Sequence, residues 1–328
     1  MPTRVAVAAV VAIGLAVQAS AAGAAQDWPN RPVTMVVPFP AGGSTDVVAR
    51  ALSPRLSEIL GQQVIIENIS GAGGMIGAAR VAKAAPDGYQ FVLGTTGTHA
   101  QNQTLYAHPL HNAASDFTPV GLIVQHVLVL VARKDLPADD LPQFIAYAKA
   151  NQAKMQYGSA GAGSGTHLAC ALLNAAIGIN VAHVPYRGGN LAMQDVIAGR
   201  IDYECPNSVA AIPQIESKLL KAIAVLSKNR SQVLPDLATA QEQGLEDFAA
   251  DNWNALFVPR GTPGAIVARL HDAMVEALNT PAVQARLRDI GADPVAPERS
   301  SPEYLQDLVE SDIKKWAAAI RLTGLTMN

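Results

Sequence analysis

Val33-Thr34-Met35-Val36-Val37-Pro38-Phe39-Pro40-Ala41-Gly42-Gly43-Ser44-Thr45-Asp46 runs from a largely apolar strand through a glycine loop into a helix. A short apolar run of this kind reads as a strand covered on both faces, the condition of a parallel sheet between helices. Beyond the loop, Val48, Leu52, Leu56, Ile59 and Leu60 fall on one helical face before Gly61 ends the helix. The same order recurs downstream, where Met155-Gln156-Tyr157 leads into Gly158-Ser159-Ala160-Gly161-Ala162-Gly163-Ser164-Gly165-Thr166-His167. Glycines let a backbone approach a ligand closely, and free amides at a helix start, aided by the helix dipole, attract negative charge. Two such loops in one chain imply a molecule held between two lobes.

Working outward, strand-like and helical segments alternate throughout. Val64 to Glu67, a loop at Gly71 to Gly77, a helix to Ala84, the turn Pro86-Asp87-Gly88 and Phe91 to Gly94 continue a βαβα rhythm, which predicts α/β architecture with mostly parallel sheets flanked by helices. A second round starts at Val127 to Val131 and continues through Val181 to Pro185, Ile201 to Cys205 and Lys221 to Leu226. The last three helical stretches, Pro263 to Leu278, Pro281 to Ile290 and Ser301 to Leu322, bring no strands of their own and are expected to pack on the first lobe. The layout is a discontinuous first domain, 26–124 with 252–328, around an inserted second domain, 125–251. Ligands in such sheets sit beyond the carboxyl ends of the strands.

Arg4 followed by the uncharged run Val5 to Val17 and small residues through Ala25 reads as a signal peptide over 1–25, cleaved after Ala21 or Ala25. An anchoring helix is disfavoured because Gln18, Ser20 and the glycines break the apolar stretch. The 328-residue chain carries 24 basic and 27 acidic residues; losing the leader removes Arg4 and leaves a net charge of −4. That balance supplies no basic field for nucleic acid. About 300 mature residues is the size at which one core divides in two. Cys170 and Cys205, the only cysteines, are expected to form a disulfide in an oxidising compartment, the alternative being two buried free thiols.

Several chemistries lose their motif. The second loop lacks the Lys-Ser/Thr that a phosphate-binding P-loop places after its last glycine, and Ala162 and Thr166 stand where a hydrolase elbow around Ser164 needs glycines. Ile76 occupies the third glycine position of the dinucleotide fingerprint. His108 and His111 have no nearby carboxylate or thiol to complete a metal site, so neither metal nor cofactor is expected. Asp46 reads as a helix-start residue rather than a ligand contact, with Ser44 or Thr45 as the cap, and His167 as a hydrogen-bonding structural residue. Arg187 reads equally as a carboxylate clamp or a solvated surface residue.

The segments Trp28 to Pro32, Pro38 to Asp46, Glu67-Asn68 with Gly71 to Gly74, Ala85 to Tyr89, Asp116 to Val120, Gly158 to His167 and Val184 to Gly189 together resemble the Bug family, the substrate-binding proteins of tripartite tricarboxylate transporters. The resemblance spans the mature chain in order. It implies a two-lobed, type II-like periplasmic binding protein that closes on a small mono- or dicarboxylate and hands it to a membrane permease, or presents it to a sensor domain. It also implies ligand contacts through backbone amides, small hydroxyls and bound water from Phe39 to Thr45 and from Ser159 to Thr166. The candidate contacts are Phe39, Ala41, Gly42, Gly43, Ser44, Thr45, Thr95, Ser159, Gly163, Ser164, Gly165, Thr166, Tyr186 and Asn207, in a monomer. A secreted enzyme on a carboxylate is the competing reading, but no nucleophile, base and oxyanion donor assemble from these motifs.

Overall fold

The computed structural model describes residues 28–326, so the expected leader lies outside the described residues. Val33–Val37 forms β1 and Ser44–Leu60 forms α1, followed by β2 (Val64–Asn68), α2 (Met75–Ala82), β3 (Gln90–Thr95) and the one-turn α3 (Asn102–Leu105). Next come β4 (Phe117–Val127), β5 (Val129–Arg133), α4 (Leu141–Asn151), β6 (Gln156–Ser159), α5 (Gly165–Ile177), β7 (Ala182–Pro185) and α6 (Gly189–Ile197). The chain continues through β8 (Tyr203–Glu204), α7 (Ser208–Glu216), β9 (Leu220–Val225) and β10 (Asp251–Pro259). It finishes with α8 (Gly264–Asn279), α9 (Pro281–Asp289), β11 (Asp293–Pro294) and α10 (Pro302–Thr323). No helix of the described residues is long and apolar enough to cross a membrane.

Two sheets result, ordered β11-β4-β10-β3-β1-β2 and β7-β6-β8-β5-β9. Parallel pairing is confined to β1 with β2 and β3, and to β6 with β7 and β8, the strands that feed the glycine loops. The other pairs, β10 with β3 and β4, β11 with β4, and β5 with β8 and β9, are antiparallel, so both sheets are mixed rather than mostly parallel. The reason is connectivity. Parallel neighbours need a helical crossover, whereas Leu128 alone separates β4 in one sheet from β5 in the other, and β10 returns the chain.

Each sheet is buried on both faces. Val33, Met35 and Leu93 pack under Leu52 and Leu56 of α1 and Leu270 and Met274 of α8. On the opposite face Val36, Val92, Leu122 and Phe257 meet Leu305 and Val309 of α10. The second lobe centres on Leu130, Phe144, Leu168, Leu173 and Tyr203. Trp316 and Ile320 of α10 belong to that second core. The expectation that the last helices cover the first lobe therefore holds for α8 and α9 and is corrected for α10. Leu305, Val309, Ile313, Trp316 and Ile320 recur at helical spacing as one stripe, longer than one lobe can cover, and it straps the two together. Cys170 of α5 and Cys205, next after β8, are bonded with sulfurs 2.08 Å and Cα atoms 5.5 Å apart, tying the helix to the strand.

Candidate functional site

Four helices begin at one place. The N-caps of α1, α5, α6 and α7 are Gly43, Ser164, Gly188 and Asn207, and all four line a cavity of about 40 Å3 between the lobes. Thr95 and Glu204, the last residues of β3 and β8, close it from the strand ends, and Asn252 of β10 adds an amide. A helix start leaves its first amides without intrahelical acceptors. Gly43, Gly188 and Asn207 offer their helices no side-chain cap bond, so those amides are left for something else in three of the four. Ser164 does cap, its Oγ accepting from His167 N at 3.2 Å. The lining holds no Lys, Arg or His. Four positive dipole ends without a basic side chain make a site for a small anion held by main-chain donors.

Nine of the sequence-derived contacts meet here: Phe39, Gly43, Ser44, Thr45, Thr95, Ser164, Gly165, Thr166 and Asn207. The other five lie outside it, and four of them shape the loops. Gly42 N donates to Asp46 Oδ2 at 2.8 Å, and Ala41 beside it is exposed. Ser159 Oγ lies 2.7 Å from His183 Nε2, and Gly163 N donates to His167 Nδ1 at 3.3 Å. Tyr186 turns its hydroxyl to Asp195 at 2.7 Å, and Arg187 is exposed outside the cavity. His111 bonds the carbonyl of Thr98 and His108 is exposed.

Asp46 organises the first loop rather than capping, because the N-cap is Gly43 and not Ser44 or Thr45. Its buried carboxylate accepts from Gly42 N, from Arg50 Nε at 2.7 Å and from Asn68 Nδ2 at 2.9 Å. Burial opposes its ionisation, but the bonds from Arg50, Gly42 and Asn68 prevail and hold its pKa below the usual carboxylate value. In the second loop, burial pushes His167 down to about 4 and His183 down to about 3, with the neighbouring His167 adding to the latter. His167 is thus a neutral acceptor stacked on Tyr157.

The lobes meet around this cavity. Asn252 Nδ2 donates to Asn207 Oδ1 at 2.9 Å, Tyr106 Oη to the carbonyl of Ala162 at 3.2 Å, and Ser208 Oγ to that of Gly291 at 2.6 Å. Glycines, Gly73 and Gly188 among them, permit the fit. A Cβ on Gly73 would stand 2.6 Å from the carbonyl carbon of Gly163, and one on Gly188 would stand 2.9 Å from Pro40 Cγ.

Comparison with known proteins agrees with this geometry. The family model described as "Tripartite tricarboxylate transporter family receptor" matches residues 48–325. The chain belongs to this family. BugT of Bordetella pertussis is 35% identical over 318 residues, 96% of this chain and 97% of BugT, which bears out the Bug resemblance. MatC from Rhodopseudomonas palustris, solved with bound malate, superposes with a TM-score of 0.87 and 39% identity, covering 89% of this chain and 100% of MatC. R. palustris Rpa4515, solved with adipate, gives a TM-score of 0.87 and 36% identity, covering 92% of this chain and 99% of the other.

Sequence reading missed several parts of this receptor's cavity. Gly188, Gly189, Pro206, Ala210, Asn252 and Glu204 line it beyond the candidate contacts, and Pro40 and Ala160 line it from within the two predicted loops. Glu204 is fully buried there, and burial raises its pKa to about 8. Only its position at the end of a parallel strand could have signalled it.

Proposed function

We propose that this chain is a periplasmic receptor that captures a small mono- or dicarboxylate between its lobes and delivers it to the permease of a tripartite tricarboxylate transporter. The convergence of four helix N-termini on a cavity without basic side chains carries the reading. The relatives solved with malate and adipate support the same ligand class. Amides at Ser44, Thr45, Gly165 and Thr166 are the main donors, Thr95 and Asn207 bring polar side chains, and Phe39 gives an apolar wall. Gly42, Ser159, Gly163 and Tyr186 hold the loops in shape.

The two sheets support a first lobe of 26–124 with 252–328 and a second of 125–251 to within three residues, since β4 keeps to the first sheet through Val127 and β10 rejoins it at Asp251, the chain acting as a monomer after loss of a 1–25 leader. A carboxylate that prefers the closed arrangement shifts the population toward it, and the permease reads the closed shape. A thermal-shift screen of malate, succinate, adipate and lactate tests this. A true ligand at a hundred times its Kd adds about 2.7 kcal/mol. Stabilisation by cations or neutral sugars alone would overturn the reading.

A further inference from the structure

Glu204 is the single ionisable side chain lining the cavity, and among the described residues no group bonds to its carboxylate. The residue is fully buried, and neither carboxyl oxygen has a hydrogen-bond partner. Its Oε1 lies beside the start of α6, 3.4 Å from where a Cβ on Gly189 would stand. An anion gripped by the helix starts is therefore its neighbour. Two adjacent carboxylates in a dry site cannot both stay ionised, so one retains a proton. A protonated carboxyl has one O–H to give, and O–H···O⁻ bonds are short and strong.

We propose that Glu204 enters the site as a neutral acid and donates its O–H to an acceptor oxygen of the bound carboxylate, so the receptor selects ligands with an oxygen there and against those with a cationic group. This rests on the carboxylate reading above. An ammonium at that point would face four positive dipole ends.

The ionisable groups on the surrounding elements are committed elsewhere. Arg133 of β5 pairs with Asp202 and Asp135, and Asp195 of α6 takes bonds from Tyr186 and Arg200. Tyr203 of β8 donates to Asn174, Tyr157 of β6 is stacked on Tyr203, and His167 of α5 accepts from Gly163. Asp46 of α1 is held by Arg50 and Asn68, and Glu216 at the far end of α7 is exposed. Tyr186 feels the charge of Glu204, and its hydroxyl stays protonated, pushed up to about 12 by burial and then by Asp195.

Two measurements test the proposal. The first is a 13C NMR titration of the Glu204 carboxyl in the unliganded protein, assigned by its loss in Glu204→Gln, with a midpoint near 8 expected. The second is calorimetry of malate, adipate and aspartate from about pH 6.5 to about pH 9.5, where malate is already a dianion. Over that range the protonated fraction, and with it malate affinity, should fall about 30-fold. Glu204→Gln keeps an N–H donor and should lose this slope, while Glu204→Leu should weaken binding at every pH. Aspartate, with an ammonium where malate has a hydroxyl, should bind the native protein about tenfold more weakly than malate. An ordinary glutamate midpoint, malate or adipate binding without a pH slope, or aspartate binding tighter than malate would each overturn the proposal. No binding of malate, succinate, adipate or lactate by any variant at any pH would instead overturn the carboxylate reading, and the donor role with it.

Discussion

Gly73→Ala should weaken ligand capture while leaving the fold intact. Gly73 has φ +59, and a Cβ there would lie 2.6 Å from the carbonyl carbon of Gly163, 2.7 Å from the oxygen of Ala162 and 2.9 Å from that of Gly163. All three are backbone atoms of the facing lobe, so no side chain can rotate away and the lobes must part. Overpacking of this kind costs about 1–3 kcal/mol, which in affinity is roughly 5- to 150-fold. The left-handed backbone adds about 1 kcal/mol whether the lobes are open or closed, so that part appears in stability and not in binding. Gly61→Ala separates the two effects: its φ is +70, with nothing within 4 Å of the added Cβ. Calorimetry with malate should show weakened binding for Gly73→Ala and native binding for Gly61→Ala, with similar small losses in Tm. Native affinity in Gly73→Ala would refute the premise that the lobes bind ligand in this close approach.

Gly43→Val places a branched side chain at the first N-cap, where a Cβ is already 3.2 Å from the carbonyl of Pro40; it should cut malate binding by at least about 100-fold, with circular dichroism unchanged. Replacing both Cys170 and Cys205 by Ser releases a 35-residue separation and should cost about 3.5–4 kcal/mol in denaturant unfolding, against which a loss under about 1 kcal/mol would count. Glu204 has a folded pKa raised to about 8, so its contribution to stability is fully present below its unfolded value and is lost as pH rises through the folded one. Native stability relative to Glu204→Gln should therefore fall by up to about 1.4 kcal/mol per pH unit between about pH 5 and pH 8. Parallel denaturant curves for the two proteins across that range would contradict it.

The parts legible in the sequence are those carried by local pattern. An apolar run handing over to glycines and then to a helical face located β1 with α1 and β6 with α5, hence two of the helix starts that line the cavity. Asn207 is among the candidate contacts, but that its helix start converges with that at Gly188 on the cavity, and that Glu204 lies beneath them, depends on packing between distant segments. A two-residue strand such as β8 has no periodicity from which to tell that its acid is sealed beneath α6. Four candidate contacts lie outside the cavity because their polar atoms have local partners, such as Asp46 for Gly42 and Asp195 for Tyr186, and Ala41 is exposed beside them. Loop composition shows that donors exist; it does not show which neighbour claims each one. The mixed sheets likewise follow from where the chain crosses between lobes, a long-range fact that a βαβα rhythm does not carry.

The most direct test is a crystal structure of the protein with the carboxylate that stays bound through gentle purification. We expect one ligand carboxylate with its oxygens at about 3 Å from amides on both sides of the cleft, at Ser44 or Thr45 of α1 and at Gly165 or Thr166 of α5. A carboxylate bound by arginines elsewhere on the surface, or touching only one lobe, would contradict the account.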